Sequence, residues 1–196
     1  MSYHGHVNLA HRKRQLVRDE LAEAALKLLA IQDFEDTTID QIAAAAGVSR
    51  RTFFRYFQSK EDVIVESLAT VGEELRAALE ARPTGERPAT VLRQTFCLFE
   101  QACAEIPEKT LRLTRLILHT PALNARYLER QAEWKAALAE TLALREKASR
   151  HDLQPVVAVG VAFAALDAAL GAWVAGDGKR DIADLLDETF TLAFPR

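Results

Sequence analysis

Basic and aromatic residues are interleaved between positions 49 and 60, and this segment has the side chains that could bind a nucleic acid. Its basic residues are Arg50, Arg51, Arg55 and Lys60, and it contains no acidic residue. A guanidinium group donates parallel hydrogen bonds that match the two acceptors of guanine, and cationic side chains also pair with phosphate. The segment therefore predicts a DNA contact, although the whole chain has a net charge of −3.

The aromatic residues of this segment indicate how it is positioned. Phe53 and Phe57 are four residues apart, so on a helix they share one face, and the basic side chains lie on another. We expect the phenyl face to pack on Ile39 and Ile42 of a preceding helix, which leaves the basic face pointing outward. The alternative is a charged, solvated helix end without a binding role.

The residues around the segment specify two short helices and a tight turn. Thr38 followed by Gln41 has the spacing of a capping box and predicts the start of the first helix. Gly47 can take the left-handed conformation that ends a helix, and Ser49 is a typical N-cap for a second helix running to about residue 57. Two short helices joined by a glycine turn are typical of a helix-turn-helix.

Helical periodicity extends over nearly the whole chain, without convincing strand alternation. We therefore expect an all-α fold of about nine helices. Besides the two short helices, they are predicted at about 11–31, 59–81, 89–105, 107–119, 121–148, 155–176 and 181–193. We expect a helix-turn-helix DNA-binding domain at 1–60 and a ligand-binding and dimerisation domain at 61–196, with the helix at 60–81 as the connector.

Three stretches of the sequence resemble the DNA-binding domain of the tetracycline-repressor (TetR) family. They are 37–43 (TTIDQIA), 46–49 (AGVS) and 53–62 (FFRYFQSKED), within a match that covers about residues 12–65. The resemblance implies an all-α homodimer whose first three helices bind a double-stranded DNA operator and whose later helices enclose a ligand pocket. The symmetry of such a dimer predicts a pseudo-palindromic operator.

The resemblance also implies roles for individual residues. Base contacts are expected from Arg50, Arg51 and Thr52, which open the recognition helix. Phosphate contacts are expected from Thr38, Ser49, Phe54, Arg55, Tyr56 and Lys60. Two departures from the family matter: Phe54 replaces the usual tyrosine, so only packing against the sugar–phosphate edge remains there, and Arg51 replaces a residue that is often small. The N-terminal arm 11–14 (HRKR) either touches a minor groove or phosphates, or is a solvated terminus.

The C-terminal half indicates a ligand pocket less explicitly. Residues 110–125 and 127–142 resemble the C-terminal domain of mycofactocin-type regulators, which implies a fatty acyl-CoA or another apolar anionic effector. A pocket would be apolar with a few polar groups. The candidates are Phe96, Phe99, Arg112, Leu113, Arg115, Leu116, Ile117, Trp134, Phe163 and Asp167. Arg112 and Arg115 could hold an anionic head group. The alternative is that the aromatic residues are core and the arginines pair with surface glutamates.

One apolar segment, 156–174, approaches the length of a membrane span. It contains Asp167 and is rich in alanine, which favours a helix buried in a bundle or in a dimer interface. We expect a homodimer through the helices at 155–176 and 181–193, no membrane contact, and Asp167 either in the pocket or hydrogen-bonded at the interface.

Several functional classes are not expected. The sequence has no glycine-rich phosphate loop, no paired metal ligands and no nucleophile with an evident histidine partner, so we expect no enzymatic activity, cofactor or metal. Cys97 and Cys103 would point to different faces of a helix, and no secretory signal opens the chain, so the bacterial cytoplasm and nucleoid are the expected location. The sequence thus predicts a ligand-responsive transcriptional repressor. The alternative is a ligand-independent or architectural DNA-binding protein.

Overall fold

The structure, a computed structural model, describes the backbone of residues 4–29, 31–149 and 152–195, and the side chains of these ranges from residue 12 onward. The chain divides into two compact units, Met1–Ala69 and Thr70–Arg196. The helices of the first unit are α1 (His4–Leu29), α2 (Ile39–Ala45), α3 (Arg50–Tyr56), α4 (Lys60–Val65) and a 3-10 turn (Glu66–Leu68). Those of the second are α5 (Val71–Glu80), α6 (Pro88–Thr95), α7 (Cys97–Glu105), α8 (Pro107–His119), α9 (Pro121–Glu146), α10 (Gln154–Ala175) and α11 (Ile182–Ala193). The all-α prediction is confirmed.

The segment predicted as one connecting helix at 59–81 is interrupted. α4 ends at Val65, the 3-10 turn follows, and α5 begins only at Val71. The Ser67 hydroxyl donates a hydrogen bond to the Ile64 carbonyl at 2.7 Å, and such local side-chain bonds disturb a helix. The division between the two compact units also lies in this interruption, between Ala69 and Thr70.

The helix predicted at 89–105 is also divided, because α6 ends at Thr95 and α7 begins at Cys97. The buried Thr95 hydroxyl donates to the Val91 carbonyl one turn back, at 2.9 Å. A threonine bonded in this way bends a helix. Phe96, between the two helices, is fully buried, so the bend directs its ring into the core of the second unit. These two interruptions account for the larger number of helices observed.

The core of the first unit is formed where α1, α2, α3 and α4 meet. Leu21 and Ala25 of α1, Ile42 of α2, Phe53 of α3 and Val63 of α4 are all fully buried. Burying a side chain the size of Ile42 or Phe53 stabilises the fold by roughly 1.5–3 kcal/mol. This core determines which face of α3 points inward and which face remains outside.

The second unit is built around α9, α10 and α11. Phe96 is the centre of an aromatic cluster there, with ring centroids 5.8 Å from Phe99, 5.1 Å from Phe163 and 5.8 Å from Phe190. All three contacts are edge-to-face, an arrangement that aromatic rings prefer. The cluster joins α6, α7, α10 and α11 in one core.

α10 is the membrane-like segment of the sequence analysis, and among the described residues it is the one helix long and apolar enough to span a bilayer. It packs on α9 and α11, and its inner face includes the buried residues Leu166, Leu170 and Trp173. Less than half of its apolar stretch is buried within one chain. These contacts are typical of a core helix in a bundle that also leaves an apolar face uncovered.

Candidate nucleic-acid interface and effector region

The first helix of the helix-turn-helix begins at the predicted capping box. The Gln41 backbone N–H donates to the Thr38 hydroxyl at 3.2 Å, and the Thr38 N–H donates to Gln41 Oε1 at 2.8 Å. The Thr38 hydroxyl also donates to Gln41 Oε1 at 3.0 Å, so a phosphate at Thr38 would compete with that bond. Gly47 follows the helix at φ +67°, the left-handed conformation that the sequence predicted.

The second helix, α3, separates its side chains as predicted. The Ser49 hydroxyl caps it by accepting from the Thr52 N–H at 3.1 Å. Phe53 and Phe57 are buried, whereas Phe54 is 47% exposed and meets Phe53 edge-to-face at 5.5 Å. The exposed ring of Phe54 therefore belongs to the outward face of α3, together with the basic residues.

The basic side chains of α3 differ in how firmly they are held. Arg50 forms an ion pair with Asp40 of α2 at 2.8 Å, and its guanidinium carbon lies 5.5 Å from the Phe54 ring centroid. The Arg55 guanidinium lies 5.0 Å from the Tyr56 ring centroid and donates to the Tyr56 hydroxyl at 3.3 Å. Arg51 is exposed, and within the described ranges its side chain forms no hydrogen bond or ion pair. Arg51 is thus the arginine most ready to take a new partner.

Lys60 makes an internal contact that the sequence did not indicate. Its ammonium group donates to the Phe34 carbonyl at 2.7 Å and lies 4.0 Å from the centroid of the Phe34 ring. This contact joins the start of α4 to the loop before α2. An ammonium group has three donors, so Lys60 can hold this carbonyl and still bind a phosphate.

Arg18 of α1 joins the end of α3 to the 3-10 turn, a contact that the sequence analysis missed. Its Nε and Nη2 donate to the two carboxylate oxygens of Glu66 at 2.6 and 2.7 Å, and Nη1 donates to the Tyr56 carbonyl at 3.1 Å. The hydrogen bond with Glu66 raises the pKa of Arg18 above its usual value. Arg18 precedes the buried Leu21 by three residues, and this proximity to the core stripe is the only sequence signal for its role.

Most of the predicted pocket residues of the second unit lie in or near its core. Phe96, Ile117, Trp134 and Phe163 are buried, and Phe99, Leu113 and Leu116 are half-buried. Two grooves of this unit, of about 940 and about 440 Å³, are lined by other residues. The larger groove lies between α9 and α10 and the smaller one beside the start of α6. The structure therefore does not collect the predicted pocket residues around either groove.

The two arginines proposed to hold an anion have different surroundings. Arg112 is exposed. Arg115 forms an ion pair with Asp177 at 2.6 Å and donates to the Val174 carbonyl at 3.4 Å. Arg115 thus pairs with a surface acid, an aspartate where the alternative in the sequence analysis named glutamates. An anionic ligand would have to displace that carboxylate.

Asp167 has a partner in the same chain. The buried Gln131 of α9 donates from Nε2 to Asp167 at 2.6 Å and to the Tyr127 hydroxyl at 3.0 Å. Burial raises the pKa of Asp167, and it also raises that of Tyr127 far above its ordinary value. Tyr127, Gln131, Trp134 and Leu138 recur at helical spacing, so the sequence contained the pattern of this buried face but not the identity of its partner.

Two family descriptions match the chain. Residues 21–66 match "Bacterial regulatory proteins, tetR family", and residues 86–194, more than half of the chain, match "MftR C-terminal domain". Both resemblances seen in the sequence are thereby confirmed.

Individual proteins and one solved structure agree with these matches. TcmR of Streptomyces glaucescens, an HTH-type transcriptional regulator, is 37% identical over 74% of this chain and 66% of its own length, slightly less than two thirds. The putative mycofactocin biosynthesis transcriptional regulator MftR of Mycobacterium tuberculosis is 29% identical over 86% of this chain and 83% of its own. The crystal structure of Thermus thermophilus FadR, a TetR family transcriptional repressor in complex with lauroyl-CoA, superposes with a TM-score of 0.62 and 30% identity, covering 90% of this chain and 92% of that one.

Proposed function

The chain belongs to the TetR family of bacterial transcriptional regulators, and from this we propose that it is a homodimeric repressor that leaves its operator when a small apolar effector binds. One observation carries the proposal. α3 buries Phe53 and presents its arginines outward, which is the orientation a recognition helix needs in the major groove.

We propose that the outward residues of α3 and of the segments next to it divide into two groups. Arg50, Arg51 and Thr52 contact base edges, because they lie in the first turn of the helix. Anchoring to phosphate is assigned to Thr38, Ser49, Phe54, Arg55, Tyr56 and Lys60. The internal contacts of Arg50 and Lys60 support a fixed geometry for both, whereas the exposed Arg51 supports readout of one additional base.

The dimer is proposed to form through α10 and α11. In a single chain, α10 exposes Val157, Gly160, Ala164 and Ala168, which recur at three- and four-residue intervals along one face. Small residues permit close helix–helix approach, and Leu192 of α11 is also exposed. Introducing a charge by Ala164→Glu is expected to yield monomers in size-exclusion chromatography and to weaken operator binding. Ala125→Glu, at an exposed position of α9, is the matched control and should remain dimeric.

The effector is proposed to bind the second unit, and lauroyl-CoA is the first compound to test because the similar Thermus thermophilus protein was crystallised with it. An effector changes DNA occupancy only through its different affinities for the bound and released states. Changing the ratio of released to DNA-bound protein from 1:99 to 99:1 requires the effector's binding free energies for the two states to differ by about 5.5 kcal/mol.

The central experiment is footprinting upstream of the protein's own gene, followed by fluorescence anisotropy with the protected duplex and with random DNA. We expect a preference for the protected site of at least about 10³-fold at physiological salt. Equal affinity for both duplexes would contradict the proposal and favour the architectural alternative. Lauroyl-CoA should weaken operator binding, and coenzyme A alone should not.

Two substitutions test the division between reading and anchoring. Arg51→Ala should relax specificity at one base position, at a cost of about 1–3 kcal/mol for the preferred base. Lys60→Ala should weaken binding to all DNA sequences equally. It should also reduce by about one the slope of the logarithm of the binding constant against the logarithm of the salt concentration. Arg87→Ala, at an exposed position of the second unit, is the charge-matched control. Identical behaviour of the Arg51 and Lys60 variants would refute the assignment.

A further inference from the structure

Gln131 is a fully buried side chain with one unused polar atom. Its Nε2 donates to Asp167 and to the Tyr127 hydroxyl, which places Oε1 on the other side of the amide. Gln131 Oε1, on the other side of the amide, has no hydrogen-bond partner in the described part of the chain. Buried polar atoms are nearly always paired, so this acceptor requires an explanation.

The Tyr127 hydroxyl accepts a hydrogen bond but donates none to the described residues. It accepts from Gln131, and we find no acceptor for its own hydrogen among the residues described. Tyr127, Gln131 and Asp167, which we call the polar cluster, thus offer one free acceptor and one free donor. Both are inside the unit, where an unpaired group is costly.

Trp134 encloses the polar cluster on one side. Its ring meets the Tyr127 ring edge-to-face at 6.2 Å. Its indole also packs on Gly72 so closely that a Cβ atom at Gly72 would lie 2.4 Å from indole Cδ1. The cluster is therefore bordered by the ring of Trp134, and a molecule that reached it would change the surroundings of Trp134.

The chemistry of the cluster restricts what can pair with it. A hydroxyl group both donates and accepts, so it can satisfy Gln131 Oε1 and the Tyr127 O–H together. A carboxylate can only accept and would lie beside the Asp167 carboxylate, and a hydrocarbon satisfies neither atom. We infer that the polar cluster is a recognition site for an uncharged hydroxyl group on an otherwise apolar ligand. This inference rests on the proposed function only in identifying that ligand as the effector.

The test compares 2-naphthol with naphthalene and 2-naphthoate, which share one ring system, in calorimetric titrations of the full-length protein without DNA. We expect 2-naphthol to bind and the other two to bind at least tenfold more weakly. Tyr127→Phe removes only the free donor. It should weaken the affinity for 2-naphthol about five- to tenfold, because one hydrogen bond is lost, and change the affinity for naphthalene less than twofold. Thr141→Val, which removes a hydroxyl group elsewhere on α9, is the control and should leave all three affinities unchanged.

A second variant and a second measurement distinguish a specific loss of binding from misfolding. Gln131→Leu removes the free acceptor, and its melting curve shows whether the unit is intact. If it is intact, it should lose the preference for 2-naphthol over naphthalene. In a Trp173→Phe background, 2-naphthol binding should also change the fluorescence of Trp134.

Equal affinities for naphthol and naphthalene, an undiminished preference in Tyr127→Phe, or no binding of 2-naphthol would each overturn the inference. Because these titrations contain no DNA, they can succeed when no operator is found. Conversely, an operator can be found and released by lauroyl-CoA while the polar cluster proves indifferent to hydroxyl groups. The two proposals therefore fail separately.

Discussion

The contact between Arg18 and Glu66 should control both the stability of the first unit and the position of its recognition helix. Glu66 is buried, with 5% of its side chain exposed, and Arg18 is partly buried, with 31% exposed. The third guanidinium nitrogen, Nη1, donates to the carbonyl of Tyr56, the last residue of α3. The perturbation is Glu66→Gln, which keeps the shape of the side chain and removes its charge.

The expected magnitude follows from the burial of the two partners. Removing one partner of a fully buried ion pair costs about 3–5 kcal/mol, whereas an exposed pair contributes about 0–1 kcal/mol. This pair is bidentate and buried on one side only, so we expect Glu66→Gln to destabilise the unit by about 2 kcal/mol. Arg18→Met should cost a similar amount, since it loses all three hydrogen bonds and the contact of the guanidinium carbon with the Phe57 ring, whose centroid lies 4.6 Å away.

Urea unfolding followed by circular dichroism, with a double-mutant cycle, measures the interaction. A coupling free energy near 1.5–2 kcal/mol is expected, as for residues in one network. Hydrogen exchange of the α3 amides should accelerate in both variants, because Glu66 no longer holds Arg18 in position beside the Tyr56 carbonyl, or Arg18 is no longer present to bind it. Gln15→Ala, which removes only an exposed hydrogen bond to Asp19, is the control. A coupling below about 0.5 kcal/mol, the range of an exposed pair, would refute the reasoning.

Three further substitutions have defined outcomes. Gly47→Ala should destabilise the first unit by about 1–2 kcal/mol in urea titrations, solely from the left-handed backbone, because no atom lies within 4 Å of the new Cβ; an unchanged midpoint would contradict this. Gly72→Ala should cost about 1–3 kcal/mol and shift the emission of Trp134, which must move away from the new methyl group. Asp40→Asn should free Arg50 from its ion pair. In anisotropy measurements the affinity for random DNA should rise about twofold and the preference for the operator should fall. A rise in that preference would argue against a positioning role for Asp40.

The local features of the helix-turn-helix could be predicted because each depends on neighbouring residues. The Thr38–Gln41 cap, the positive φ of Gly47 and the Ser49 cap all involve positions within three residues of one another. The division of α3 into a buried phenyl face and an exposed basic face follows from helical spacing. The same reasoning overestimated the continuity of the helices at 59–81 and 89–105, because Ser67 and Thr95 use their hydroxyl groups on the backbone.

The effector region was less accessible to sequence reasoning. The candidate aromatic residues Phe96, Trp134 and Phe163 are buried, but periodicity does not distinguish a core from the wall of a pocket. Phe96 and Phe163 pack on each other, and Arg115 is occupied by Asp177. Asp167 was expected to need a partner, and the partner is Gln131, whose helical spacing placed it on the buried face of α9 without indicating what it bonds.

The sequence alone determined the helical fold class, the helix-turn-helix and the outward face of its basic residues, since these depend on short-range spacing and backbone preference. Only the tertiary structure decided which distant side chains meet: Arg18 with Glu66, 48 positions apart, and Gln131 with Asp167, 36 positions apart. The physical reason is that separation along the chain specifies neither distance nor burial, and a polar side chain acquires its role from the groups that replace water around it.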